Sequence, residues 1–141
     1  VAAGEVDEAG RKLMTVTREC LLRAVDQIRA GNRVSDISHA VQVHAEKNGF
    51  SVVRDYVGHG IGRSLHEEPQ VPNWGEPGRG PRLQRGMVLA VEPMINEKGH
   101  EVVEEPDGWT VRTKDRGRSA HYEYSVAVTE KGARVLGVDG A

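Results

Sequence analysis

The chain has 141 residues, 38% of them hydrophobic and 28% charged, which is the size of one ordinary domain or of a piece of a larger one. That balance excludes an unstructured tail, and no apolar run nears the ~20 residues of a membrane-spanning helix. Nineteen basic against 21 acidic residues give a net charge of -2, which excludes a strong bulk attraction to nucleic acid or to an anionic membrane. The single Cys20 excludes an internal disulfide and fits a reducing compartment. With aromatics at only 4%, Val, Leu, Ile and Ala must build the core.

The first element is an amphipathic helix from about Asp7 to Ala30. Leu13, Thr17, Cys20, Leu21, Ala24 and Ile28 recur at steps of three and four and form one apolar stripe. Gly31 is its expected stop. Val34-Ser35-Asp36 is a second helix start, with Ser35 expected as N-cap. This helix runs to about Lys47 and buries Ile37, Ala40, Val41, His44 and Ala45. Phe50 to Tyr56 is β-branched and aromatic enough for a strand. Gly58 to Gly86 has many glycines and prolines and little periodicity, so a long functional loop is expected there.

Met87 to Val91 reads as a short strand that runs into Glu92-Pro93. Further strands are expected over Ile95 to Val103 with a turn at Gly99, over Trp109 to Lys114, and over Ala120 to Val128. In the last of these, Ala120, Tyr122, Tyr124, Val126 and Val128 face one way, and His121, Glu123, Ser125 and Ala127 the other. Two helices followed by a strand-rich half predict an α+β fold, an antiparallel or mixed sheet backed by helices on one face.

The densest polar cluster is Gly58-His59-Gly60-Ile61-Gly62-Arg63-Ser64-Leu65-His66-Glu67-Glu68-Pro69. Glycines flanking His59 remove side chains that would crowd it. Either the imidazole points into a cleft or it sits solvated on a turn; spacing does not decide. The segment is no dinucleotide-binding fingerprint, since the third glycine spacing is missing and no helix follows. Glu92 ends an apolar strand and Glu123 sits between two tyrosines, places where a carboxylate is costly unless paired with a cation. His59, Glu92 and Glu123 form a nitrogen-and-oxygen set suited to a borderline divalent metal. His66 is a further ligand or a proton donor. His44 reads as a core or boundary residue, His39 and His100 as solvated, and Lys114 to Arg118 as a charged turn.

Gly58-His59-Gly60-Ile61-Gly62, His66-Glu67-Glu68-Pro69, Val91-Glu92-Pro93-Met94, Asp107-Gly108-Trp109-Thr110 and Ser119-Ala120-His121-Tyr122-Glu123, in this order and spacing, resemble a type I methionine aminopeptidase. The resemblance runs from about Val16 to the C-terminus. Its first motif and Glu92-Pro93 are shared with a wider family that includes prolidase and aminopeptidase P, the second enzyme reading. The resemblance implies a pita-bread fold, two pseudo-symmetric halves around a site for two divalent ions (Co, Mn, Fe or Zn). It implies removal of the initiator Met from nascent proteins when the next residue is small, by metal-hydroxide attack.

By position, His59 resembles the imidazole ligand of one metal, Glu92 a carboxylate ligand of that metal with a proton-transfer role, and Glu123 the carboxylate bridging both. His66 resembles the catalytic histidine that contacts the substrate amide. Leu65 and Trp109 resemble the lining of the methionine pocket, with Leu65 where an aromatic is usual.

The family's two aspartate ligands have no counterpart here: the early acids Glu5, Asp7 and Glu8 lie outside any strand pattern. Residues 1–141 are therefore expected to be the C-terminal catalytic half, two helices on a curved, mainly antiparallel sheet, with the first half absent. The implied setting is cytoplasmic. The implied partners are a nascent N-terminus, a complementary N-terminal half and the ribosome, with neither nucleic acid nor membrane. The non-enzymatic alternative is a pita-bread module that binds peptides or nascent chains without cleaving them.

Overall fold

The structure, a computed structural model, describes residues 2–138. In chain order its elements are α1 (Glu8–Asp26), α2 (Val34–Lys47), β1 (Ser51–Val52), β2 (Gly58–Gly60), β3 (Glu67–Val71), β4 (Val88–Val91), β5 (Met94–Asn96), β6 (Val102–Glu104), β7 (Val111–Thr113), β8 (Ser119–His121), β9 (Tyr124–Thr129) and β10 (Gly132–Val135). The strands form a five-stranded sheet in the order β10-β9-β4-β2-β3, a three-stranded sheet β1-β5-β8, and the hairpin β6-β7. Every strand pair described is antiparallel. This is the α+β architecture expected. Among the described residues no helix is long and apolar enough to cross a membrane.

The expected stripe of α1 is buried throughout, from Leu13 to Ile28. Its start is fixed by Asp7, whose Oδ1 accepts the Gly10 N–H at 2.9 Å. The helix ends at Asp26, short of the expected Ala30, because the chain turns there and the Gly31 N–H donates to the Leu83 carbonyl instead. The expected cap of α2 is also displaced. Arg33 is the N-cap residue, and its N–H donates to Asp36 Oδ2 at 2.7 Å. Ser35 lies inside the first turn, and its hydroxyl bonds both the N–H and the carbonyl of Arg79. The two helices pack on each other and on one face of the sheets, where Leu21, Ile37, Leu89, Val91, Ile95, Val126 and Val128 form one core.

The segment expected to be an irregular loop from Gly58 to Gly86 contains two strands. Neither β2 nor β3 has a strand-like composition; their neighbours hold them. β2 is threaded between β3 and β4 so closely that a Cβ on Gly58 would stand 2.4 Å from the Ala90 carbonyl oxygen, and one on Gly60 2.3 Å from that of Glu68. The glycines are needed for strand packing as well as for space around His59. The rest of the segment is irregular but fastened to one face of α2. Asp36 accepts the Gly78 N–H, His39 meets the Gly75 carbonyl, and Gln42 accepts the Gly75 N–H. His39, expected to be solvated, is half-buried for this reason. Farther along, Asn73 donates to the carbonyls of Val53 and Tyr56.

Three strand expectations change. Phe50–Tyr56 shrinks to β1, and 95–103 divides into β5 and β6 in different sheets. The stretch 120–128 breaks at Tyr122-Glu123, so β8 and β9 also belong to different sheets. The predicted alternation survives the break: Ala120, Tyr122, Tyr124, Val126 and Val128 all pack on the core, whereas His121 and Glu123 are exposed.

Candidate metal centre

Sheet register explains how distant residues meet. His59 pairs with Ala90, and Ala90 pairs with Ser125, so these three share a face. Side chains alternate along a strand, so Glu92, two residues past Ala90, and Glu123, two residues before Ser125, belong to that same face. It is the face away from the helices. Ala90 and Ser125 are small, which leaves room beside the imidazole.

The structure brings His59, Leu65, His66, Glu92, Trp109 and Glu123 to one cleft of about 570 Å³, which Tyr56, Val57, Met94 and His121 also line. Glu92 is half-buried at its centre, with Oε1 3.5 Å from His59 Nε2. His59 Nδ1 lies 2.8 Å from the Gly60 carbonyl oxygen. A carbonyl only accepts, so the neutral ring carries its proton on Nδ1 and turns the Nε2 lone pair towards Glu92. That is the usual orientation of a metal-ligating imidazole. The His66 ring stands 4.2 Å from the His59 ring, centroid to centroid, tilted by 56°. Its loop is shaped by Glu67, whose Oε1 accepts the Ser64 N–H at 2.8 Å.

Leu65 and Trp109 are 70% and 87% exposed, unusual for apolar side chains. Trp109 sits on the turn between β6 and β7. Asp107 builds that turn: its carboxylate accepts the N–H groups of Trp109 and Thr110 and the Thr110 hydroxyl. These bonds hold the Asp107 carboxyl below its ordinary pKa.

His121 is the site residue that the sequence reading passes over. Its Nε2 lies 3.3 Å from Glu92 Oε2. This stretched hydrogen bond raises the imidazole's pKa above its ordinary value, against partial desolvation. The available signal was its place two residues before Glu123, on the outward side of the alternation. Ligand atoms of Glu92, His121 and Glu123 all lie within 4.8 Å of one another. Carboxylate and imidazole donors at such spacing fit one divalent ion. The remaining histidines are elsewhere. His44 Nε2 meets Glu19 Oε2 at 2.7 Å on the outer side of the helix pair. Cys20 is wholly buried, and burial pushes its thiol up to about 12, so it is an inert core residue.

The sequence profile of metallopeptidase family M24 matches residues 1–130. The chain belongs to this family. Among curated M24 relatives, a methionine aminopeptidase of Clostridium perfringens is 50% identical over 133 residues, which are 94% of this chain and 53% of that protein. The crystal structure of methionine aminopeptidase from Thermotoga maritima matches with a TM-score of 0.93 and 51% identity, over 95% of this chain and 54% of that one. Prolidase from Pyrococcus furiosus, 21% identical with a TM-score of 0.75, covers all of this chain and 36% of its own, and shares the fold alone. The M24 chain described here thus has the pita-bread fold and resembles methionine aminopeptidases far more than prolidases. It spans about half the length of the curated relatives it matches.

Proposed function

We propose that residues 1–141 are the C-terminal catalytic half of a methionine aminopeptidase, and that the cleft holds part of its metal site. The carrying observation is the convergence of His59, Glu92 and Glu123 on one sheet face, beside a cleft walled by exposed Leu65 and Trp109. His59 Nε2, Glu92 and Glu123 would hold the divalent metal from this side of the cleft, and the remaining ligands would come from a complementary half. A bound divalent ion acidifies water and polarises the scissile carbonyl.

The chain's own groups do the rest. Glu92, half-buried beside His59, would take up and return the proton of the attacking water. His66, next to His59, donates a hydrogen bond to the substrate amide and to the charge that develops there. Leu65 and Trp109 flank the methionine side chain and select it by burial and shape. The substrate is the N-terminus of a nascent chain in the cytoplasm, beside the ribosome, with a small second residue.

The test uses the chain together with the N-terminal half of a methionine aminopeptidase added as a separate polypeptide, with Mn²⁺ or Co²⁺. Release of Met from Met-Ala-Ser, with no cleavage of Xaa-Pro peptides, is the expected result. Preferential cleavage of Xaa-Pro would move the assignment to a prolidase-like or aminopeptidase P-like activity.

A further inference from the structure

The hairpin β6-β7 encloses a second cavity that the metal centre does not use. Val102 pairs with Thr113, and Val111 lies two residues before Thr113, so these three side chains share one face of the hairpin. That face looks onto Met94 and Ser119 of the β1-β5-β8 sheet, across a cavity of about 220 Å³ whose wall Val53 and Tyr56 complete. The polar groups around it are engaged. The Ser119 hydroxyl donates to the Ile95 carbonyl at 3.2 Å, the Thr113 hydroxyl donates to the Gly117 carbonyl at 2.6 Å, and Glu105 holds the Arg112 guanidinium at 2.9 Å. What remains for a ligand is apolar, including Val111, which is 40% exposed. The cavity is also formed in advance. The buried Asn73 amide donates to the carbonyls of Val53 and Tyr56, and its oxygen accepts the Met94 N–H at 3.3 Å. Tyr56 and Met94 line the metal cleft as well, so the two spaces adjoin.

We propose that this cavity is a subsite for the third residue of the substrate and takes an apolar side chain there. The inference rests on the aminopeptidase reading above and narrows its substrate. In that reading Leu65 and Trp109 hold the methionine side chain and the second residue is small, so the third is the first residue free to fill a pocket. The hairpin carries Trp109 at its tip and the cavity against its base. A peptide held at the tip, with its scissile bond beside Glu92, leaves the cleft over Met94, two residues past Glu92, and Met94 is where the cavity begins. An apolar cavity of about 150 Å³ already admits benzene. This one therefore takes one side chain of the size of Leu, Ile or Met, and it is smaller than the pockets that hold whole small-molecule ligands.

The test measures Met release from Met-Ala-Leu-Ser and Met-Ala-Asn-Ser by the chain completed with an N-terminal half and Mn²⁺. Wild type is compared with Val111→Glu, which puts a carboxylate in the cavity. The control is Val103→Glu, on the opposite face of the same hairpin and 39% exposed in the parent chain. Circular dichroism checks folding, and calorimetry measures the affinity of each variant for the N-terminal half. Wild type should favour the Leu peptide at least about fivefold in kcat/KM, since full burial of a Leu side chain is worth roughly ten- to hundredfold and this cavity is open on the cleft side. Val111→Glu should bring that ratio close to one and leave release from the Asn peptide unchanged, whereas Val103→Glu should keep the wild-type ratio. Equal rates on both peptides in wild type would overturn the subsite and leave the aminopeptidase reading standing. A Val111→Glu variant that binds the N-terminal half more weakly but keeps the Leu preference would also overturn it, because the cavity would then seat that half. No release from either peptide would overturn both.

Discussion

Gly60→Ala should damage the fold and the site together. Gly60 lies on β2, between β3 and β4, and its added methyl would meet the Glu68 carbonyl oxygen at 2.3 Å, the Glu68 carbonyl carbon at 2.8 Å and the Glu67 carbonyl oxygen at 3.0 Å. All three atoms are backbone, so no rotamer change relieves the contact. β3 must retreat by roughly 1 Å to restore ordinary van der Waals distances. Overpacking of this kind costs about 1–3 kcal/mol, which for a domain of this size lowers Tm by roughly 3–10 °C.

Because His59 precedes Gly60 and bonds its carbonyl, metal affinity should fall as well. Gly99→Ala is the comparison. There the added methyl meets only the Asp115 carboxylate, at 3.2 Å, a side-chain end that can move. Thermal unfolding and Co²⁺ titration of the two variants side by side form the assay. Equal Tm values for the two variants would refute the argument that backbone crowding around β2 demands glycine.

In an enzyme completed with an N-terminal half, Glu123→Gln should lower kcat/KM far more than Leu65→Ala, because the first loses a charge shared between cations and the second reshapes one wall. Comparable losses would mean that the bridging role is misassigned. Asp7 is held at about 2 by its hydrogen bond to Arg118, helped by the Gly10 N–H, against an ordinary 3.8. Its folded pKa is depressed, so its stabilisation is complete above the ordinary value and fades as pH falls towards 2. Wild type should therefore lose its Tm advantage over Asp7→Asn between pH 4 and pH 2, whereas parallel profiles would contradict this. Asp36→Ala removes both the bond to the Arg33 N–H and the tie to Gly78. It should cost about 0.5–2 kcal/mol and quicken proteolysis within residues 72–86; unchanged cleavage would show that α2 does not hold that segment.

The residues that were easiest to read were those with a period. The α1 stripe, the α2 face and the alternation from Ala120 to Val128 each follow a repeat that the core enforces. The last survives even where the strand itself breaks, since side-chain direction outlasts the ladder bonds. Harder were β2 and β3, where Gly58, Gly60 and Pro69 disguise two strands held by their neighbours, β2 between β3 and β4 and β3 along β2. Helix ends were misplaced by a few residues because Arg79 and Leu83, far along the chain, supply the partners for Ser35 and Gly31.

For the site, Glu92 and Glu123 stood out through their strand context and His59 through its flanking glycines, with His66 beside them as a further ligand or proton donor; Leu65 and Trp109 came from the motif resemblance. All line one cleft. His121 escaped because its partner Glu92 lies across a junction between two sheets that no local pattern reveals.

The central claim is that this chain carries one half of a divided metal site. The most direct measurement is Met release from Met-Ala-Ser with Mn²⁺ or Co²⁺, by the chain alone and after adding the N-terminal half, with light scattering on both samples. Alone, the chain should self-associate through the exposed apolar surface around Leu65 and Trp109 and release little or no Met. With its complement it should form a one-to-one complex and release Met in a metal-dependent way. A stable monomer that is active by itself, with metal and without any partner, would contradict the account.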